Sequence, residues 1–166
     1  MENKAGLWKS NDSWIFKNKT DGLISIENTS KRKVLGATSD GKVVQEVFVE
    51  GKADQLWKKV KLDAEGYLAF ENSGVPKNMT AISNSSLGLK GIVTLPFHGF
   101  YLLINRFLYI DSNIVRTPGQ LWIKGDEKAE TKGYFSLMNF DSSKELAAIS
   151  SSFLTMQGKP INECAV

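Results

Sequence analysis

The feature that most constrains this chain is a short segment that recurs four times without gaps: Gly22-Leu-Ile-Ser-Ile-Glu-Asn28, Gly66-Tyr-Leu-Ala-Phe-Glu-Asn72, Gly99-Phe-Tyr-Leu-Leu-Ile-Asn105 and Gly133-Tyr-Phe-Ser-Leu-Met-Asn139. Each copy opens on Gly, carries apolar residues and closes on Asn six positions later. Gly and Asn tolerate a positive φ, so the pattern reads as a strand with a turn at each end. In three copies a second apolar pair follows: Leu35 and Ala37, Met79 and Ala81, Leu146 and Ala148. An apolar spacing of two is the period of a strand with one buried face. The copy at Gly99 keeps a shortened version, Phe107-Leu-Tyr-Ile-Asp111. A further short strand is expected after each, at residues 43–49, 87–89, 114–116 and 153–156. The units therefore read as repeated hairpins, and the chain as all-β.

Tryptophans fall in register with this repeat. Trp57 and Trp122 each close a Gln-Leu-Trp triplet ahead of a unit, at Gln55 and Gln120, and Trp14 holds the same place ahead of the first. The third start has Pro96-Phe97-His98 there instead. The two triplets suggest a duplicated block, residues 54–91 echoed by 119–158. Recurrence in register predicts that Trp14, Trp57 and Trp122 pack in the core, whereas Trp8 does not recur. Residues 1–12 lie outside the repeats and read as an arm, with one domain over 13–166. No segment competes as a helix, since Asp126-Glu-Lys-Ala-Glu-Thr-Lys132 lacks an apolar face.

The triplets and the strands in register with them resemble the Gln-x-Trp repeat of the ricin-B-type lectins. That resemblance covers most of residues 14–158 and implies a β-trefoil, in which the Trp packs in a shared core and the Gln holds the fold. Four unit starts would also suit a small four-bladed β-propeller, which is the alternative architecture. The resemblance further implies carbohydrate-binding units with an Asp after the second strand, an aromatic platform, and a polar residue ahead of the Trp. The Asp position falls on Gly36, Thr80 and Ala147, none of which accepts two hydroxyl hydrogen bonds. The remaining ingredients are Phe48, Asp54 and Gln55 in one set, and Tyr109, Asp111 and Gln120 in another.

Other function classes find little support. The 21 basic and 18 acidic residues nearly balance, and the densest basic cluster, Lys31-Arg32-Lys33, reads as a solvated loop. A nucleic-acid binder would show a basic stripe or a recognition motif. The longest apolar run, Phe100 to Ile104, is far short of the roughly 18 residues of a spanning helix. The single histidine, His98, stands in a turn, and the single cysteine, Cys164, near the C-terminus. Neither has partners at the spacing of a metal site or an activated nucleophile. No cofactor motif is present, and a paired-carboxylate site is not visible in the sequence. Five Asn-x-Ser/Thr sequons, at Asn11, Asn18, Asn28, Asn78 and Asn84, favour secretion, although Met1-Glu-Asn-Lys lacks a signal-peptide core. The expected function is a non-catalytic, lectin-like module whose partners are glycans or glycoproteins. The alternative is a trefoil that binds a protein and has lost sugar binding.

Overall fold

The computed structural model describes residues 13–62, 66–82, 87–91, 93–94, 109–111, 114–125, 133–148 and 154–158. The arm of residues 1–12, Trp8, His98 and Cys164 lie outside them, as does the Gly99–Asn105 copy. Three units of four strands make up the main sheet. The first holds β1 (Trp14–Asn18), β2 (Leu23–Asn28), β3 (Val34–Ala37) and β4 (Val43–Glu46). The second holds β5 (Trp57–Lys61), β6 (Tyr67–Asn72), β7 (Asn78–Ala81) and β8 (Leu87–Lys90). Between it and the last unit lie β9 (Val93–Thr94), β10 (Tyr109–Asp111) and β11 (Ile114–Arg116), which form a separate small sheet. The third unit holds β12 (Trp122–Lys124), β13 (Leu137–Asn139), β14 (Lys144–Ala148) and β15 (Leu154–Gly158).

Strands β1, β2, β5, β6, β12 and β13 pair antiparallel in that order. A bridge between Trp14 and Phe135 closes them into a barrel, with backbone bonds of 2.8 and 3.0 Å. The hairpins β3–β4, β7–β8 and β14–β15 cap one end, and β4, β8 and β15 meet one another there. This is a β-trefoil. The propeller alternative fails because the strands share one closed barrel instead of forming separate blades. The fourth unit start is resolved too: its flanking strands belong to an insertion between units two and three. The duplicated block is likewise two of three equivalent units, with Trp14 completing the set.

Each unit repeats the same bonds. The indole N–H of Trp57 donates to the Leu35 carbonyl at 2.9 Å, that of Trp122 to Met79 at 3.2 Å, and that of Trp14 to Leu146 at 2.8 Å. All three tryptophans are fully buried, and Ile26, Phe70 and Leu137 pack with them in one core. The strand-opening glycines Gly22, Gly66 and Gly133 have φ of 72°, 74° and 91°, the left-handed region expected of them.

The closing asparagines behave differently from expectation. Among the described residues Asn28, Asn72 and Asn139 have no positive φ; the turns are made by their side chains. Oδ1 of Asn28 accepts from the N–H groups of Ser30 and Lys31, that of Asn72 from Gly74 and Val75, and that of Asn139 from Asp141 and Ser142. Their amides meanwhile donate to carbonyls just ahead of the tryptophans: Ser13, Asp54 with Leu56, and Gly119 with Leu121. A short planar amide does both at once, which is why Asn recurs here.

Truncating a buried Trp removes both its packing and the partner of a buried carbonyl. Trp57→Ala and Trp122→Ala are each expected to cost about 3–5 kcal/mol, while Lys59→Ala, exposed on β5, should cost under about 0.5 kcal/mol. Urea unfolding of the three variants checks this; mild effects at both tryptophans would remove them from the core.

Candidate functional site

The glutamines of the two Gln-Leu-Trp triplets are buried, at 0% exposure for Gln55 and 1% for Gln120. Gln55 Oε1 accepts from the Val49 N–H at 2.7 Å, and its Nε2 donates to the Val47 carbonyl and to Glu46 Oε2, both at 2.9 Å. Gln120 does the same in unit two, accepting from Thr117 N–H and donating to the Lys90 and Gly91 carbonyls. The side-chain amide thus imitates a neighbouring strand, and β4 ends at Glu46 instead of running to Val49 as the apolar pattern suggests. With their amides bonded to the chain, Gln55 and Gln120 hold the loops at the ends of their units.

The loop that Gln55 holds carries Phe48, Lys52 and Asp54. Phe48 is half-buried, and the Lys19 ammonium from the β1–β2 turn lies 3.7 Å from its ring centroid. Val47 and Val49, on either side, are 68% and 53% exposed. Asp54 sits in a 3-10 turn, Ala53–Gln55, whose backbone is pinned from below. Asn72 donates to its carbonyl at 2.8 Å, and Gly74 approaches so closely that a Cβ there would lie 2.7 Å from the Asp54 nitrogen.

Glu46 and Lys52 complete this lip, and sequence reasoning missed both. Lys52 forms an ion pair with Glu46 and reaches Asp54 Oδ2 at 3.4 Å. The Glu46 carboxylate lies over Gly36, where an added Cβ would be 3.2 Å from its Oε1. The hairpin register pairs Val34 with Glu46 and Gly36 with Val44, so the carboxylate reaches back over the space that glycine leaves. The Lys52 hydrogen bond, aided by that from Gln55 and opposed by burial, holds the Glu46 carboxyl below its ordinary range. Its partner's ammonium is raised, chiefly by the bond to Glu46. The available signal was a charged residue closing the otherwise uncharged run Val43-Val-Gln-Glu46.

The second predicted set is not assembled in the same way. Tyr109 and Asp111 lie on β10, paired with Arg116 and Ile114 of β11, and their side chains lie outside the described residues. Gln120 belongs to the end of unit two. There the counterpart of Asp54 is Gly119, and a Cβ on it would lie 2.7 Å from the Ala81 carbonyl. Unit two has no room for an acidic side chain at that place. Of the sequons, Asn28 and Asn78 are buried and Asn18 is exposed; Asn11 and Asn84 lie outside the described residues. Among the described residues no helix is long and apolar enough to cross a membrane, and no three His, Cys, Asp or Glu side chains are grouped to hold a metal.

No family model and no curated protein matches the chain. Solved structures do. SeviL bound to asialo-GM1 saccharide is similar at a TM-score of 0.59 and 16% identity, over 83% of this chain and 88% of that one. The designed threefold-symmetric protein ThreeFoil is similar at 0.60 and 17% identity, over 84% and 91%. The cytolethal distending toxin of Actinobacillus actinomycetemcomitans follows at 0.55 and 8% identity, over 92% and 84%. At these identities the likeness is one of fold.

Because the Glu46 carboxyl is lowered from its ordinary 4.5, its pair with Lys52 stabilises the folded chain fully above that value. The contribution is lost as pH falls through the lower folded value. For a pair this open to solvent the contribution is small. Glu46→Gln should therefore be less stable than the parent at neutral pH, with the gap closing in acid. Urea unfolding across that range measures it, and a gap that widens in acid would contradict the assigned ion pair.

Proposed function

We propose that this chain is a non-catalytic module that binds glycans or glycoproteins through the lip of its first unit. The observation that carries the proposal is the break in threefold symmetry there. Glu46, Lys52 and Asp54 group two carboxylates and an ammonium at the loop that also carries the half-buried Phe48, whereas unit two has Thr80, Lys90 and Gly119 where unit one has Gly36, Glu46 and Asp54. Folding demands the repeated residues and does not demand these. Saccharides are recognised by polar groups that exchange hydrogen bonds with hydroxyls, together with an apolar face for the ring. Asp54 and Phe48 supply the two kinds of surface, and Gln55 sets the loop that carries them. A protein of the same fold, SeviL, has been solved with a saccharide bound, which lends support to the reading. Tyr109 and Asp111 on β10, with Gln120 anchoring the loop at the end of unit two, are proposed as a second contact region.

A protein partner is the second reading, favoured by the exposure of Val47 and Val49 beside Phe48. A glycan array separates the two. Sugar-competable signals support the first, and silence across a broad array supports the second. With a shallow lip and few hydrogen bonds, binding per site is expected at roughly millimolar to micromolar Kd. NMR titration with galactose-type and N-acetylated sugars should move the amides of Phe48 and Asp54 and leave those around Thr80 and Ala147 in place. Shifts confined to Thr80 would mean that the wrong unit has been chosen.

A further inference from the structure

We infer that Lys52 and Asp54 act as a donor and acceptor pair that reads a single hydroxyl of a neutral saccharide, with Glu46 as the positioning residue for Lys52. The inference rests on the glycan reading above and adds the chemistry of its polar end.

Glu46 and Asp54 are unequal partners for the ammonium. Glu46 is well satisfied, receiving both Lys52 and the Gln55 amide. Asp54 is not: its Oδ2 has only the 3.4 Å contact with Lys52, and its buried Oδ1 has no hydrogen-bond partner. A charge-assisted bond closes to about 2.7–2.9 Å when free to form, so the Lys52–Asp54 contact is slack. An ammonium has three N–H groups, and the bond to Glu46 leaves others to give. Asn72 and the close approach of Gly74 hold the Asp54 backbone, so only its short side chain can turn towards Lys52.

The gap between an under-supplied acceptor and a tethered donor suits a group that accepts and donates at once. A hydroxyl does so, taking a hydrogen bond from Lys52 and giving one to Asp54. A ligand amine could only donate and a ligand carboxylate only accept, so each would satisfy one side and oppose the other. The site therefore favours neutral sugars over acidic ones. The two groups stand two residues apart on one turn, and no counterpart exists in unit two, where Gly119 replaces Asp54.

The test uses methyl galactoside, glucoside and mannoside with their monodeoxy analogues, titrated calorimetrically into the full chain. For the best-binding glycoside, Lys52→Met should weaken binding about tenfold, and so should loss of one particular hydroxyl; combined, the two should cost little more than either alone. Lys52→Arg should retain most of the affinity. Glu46→Gln should weaken binding a few-fold without abolishing discrimination among the deoxy sugars. Asp54→Asn provides a second route to the same coupling should Lys52→Met fail to fold, as judged by its Tm. Equal or tighter binding by Lys52→Met, or losses that add in full, would overturn the inference and leave the glycan reading standing. No measurable binding of any glycoside by the parent chain would overturn both.

Discussion

Everything in this fold depends on where the indole N–H groups go. Trp57 of unit two bonds a carbonyl of unit one, Trp122 of unit three bonds unit two, and Trp14 of unit one bonds unit three. The pattern is cyclic, so no unit satisfies its own largest buried side chain. Each inter-unit bond is buried, so breaking one inside the assembled barrel would leave an indole donor and a carbonyl without partners, at a cost of about 1–3 kcal/mol each. The asparagines reinforce this, because each one ties the end of a barrel strand to the chain just before its unit's own Trp.

The same economy places the candidate site. A strand that stops must leave backbone groups without ladder partners, and at the end of β4 the Gln55 amide replaces the missing strand. Freed from the sheet, residues 47–52 turn outward with Phe48, Lys52 and the two exposed valines. Site and scaffold are thus linked through one buried glutamine. Altering Gln55 would release the loop that it holds.

Much of this architecture was legible in the sequence because each structural residue recurs in three identical settings. Gly22, Gly66 and Gly133 adopt the positive φ that their place implied, and the tryptophans are buried as a set. The Gly99 copy lies outside the described residues and is not needed to complete the three units of the main sheet. What it lacked was a Trp ahead of it, and the three units of the main sheet all have one. The asparagines were located correctly and given the wrong physics, since a side-chain amide can build a turn that backbone dihedrals do not reveal. In the site, Phe48 and Asp54 could be found from their spacing to Trp57. Glu46 and Lys52 could not, because their relation depends on hairpin register and on a glycine across the ladder.

Glycine is where the first two units diverge most informatively. Gly36 leaves space that the Glu46 carboxylate enters, and Gly74 lets the Asp54 turn settle against the neighbouring strand end. Gly119 does the reverse: it allows unit two to close its corresponding turn directly onto β7, with no side chain at that position. The same residue type opens one position and seals another, according to which neighbour fills the space that the missing Cβ leaves. An exact threefold trefoil would have to make the same choice in every unit. Units one and two make different choices at these turns while the indole and asparagine bonds stay the same, so the Glu46–Lys52–Asp54 group arises without altering the interactions that hold the barrel together.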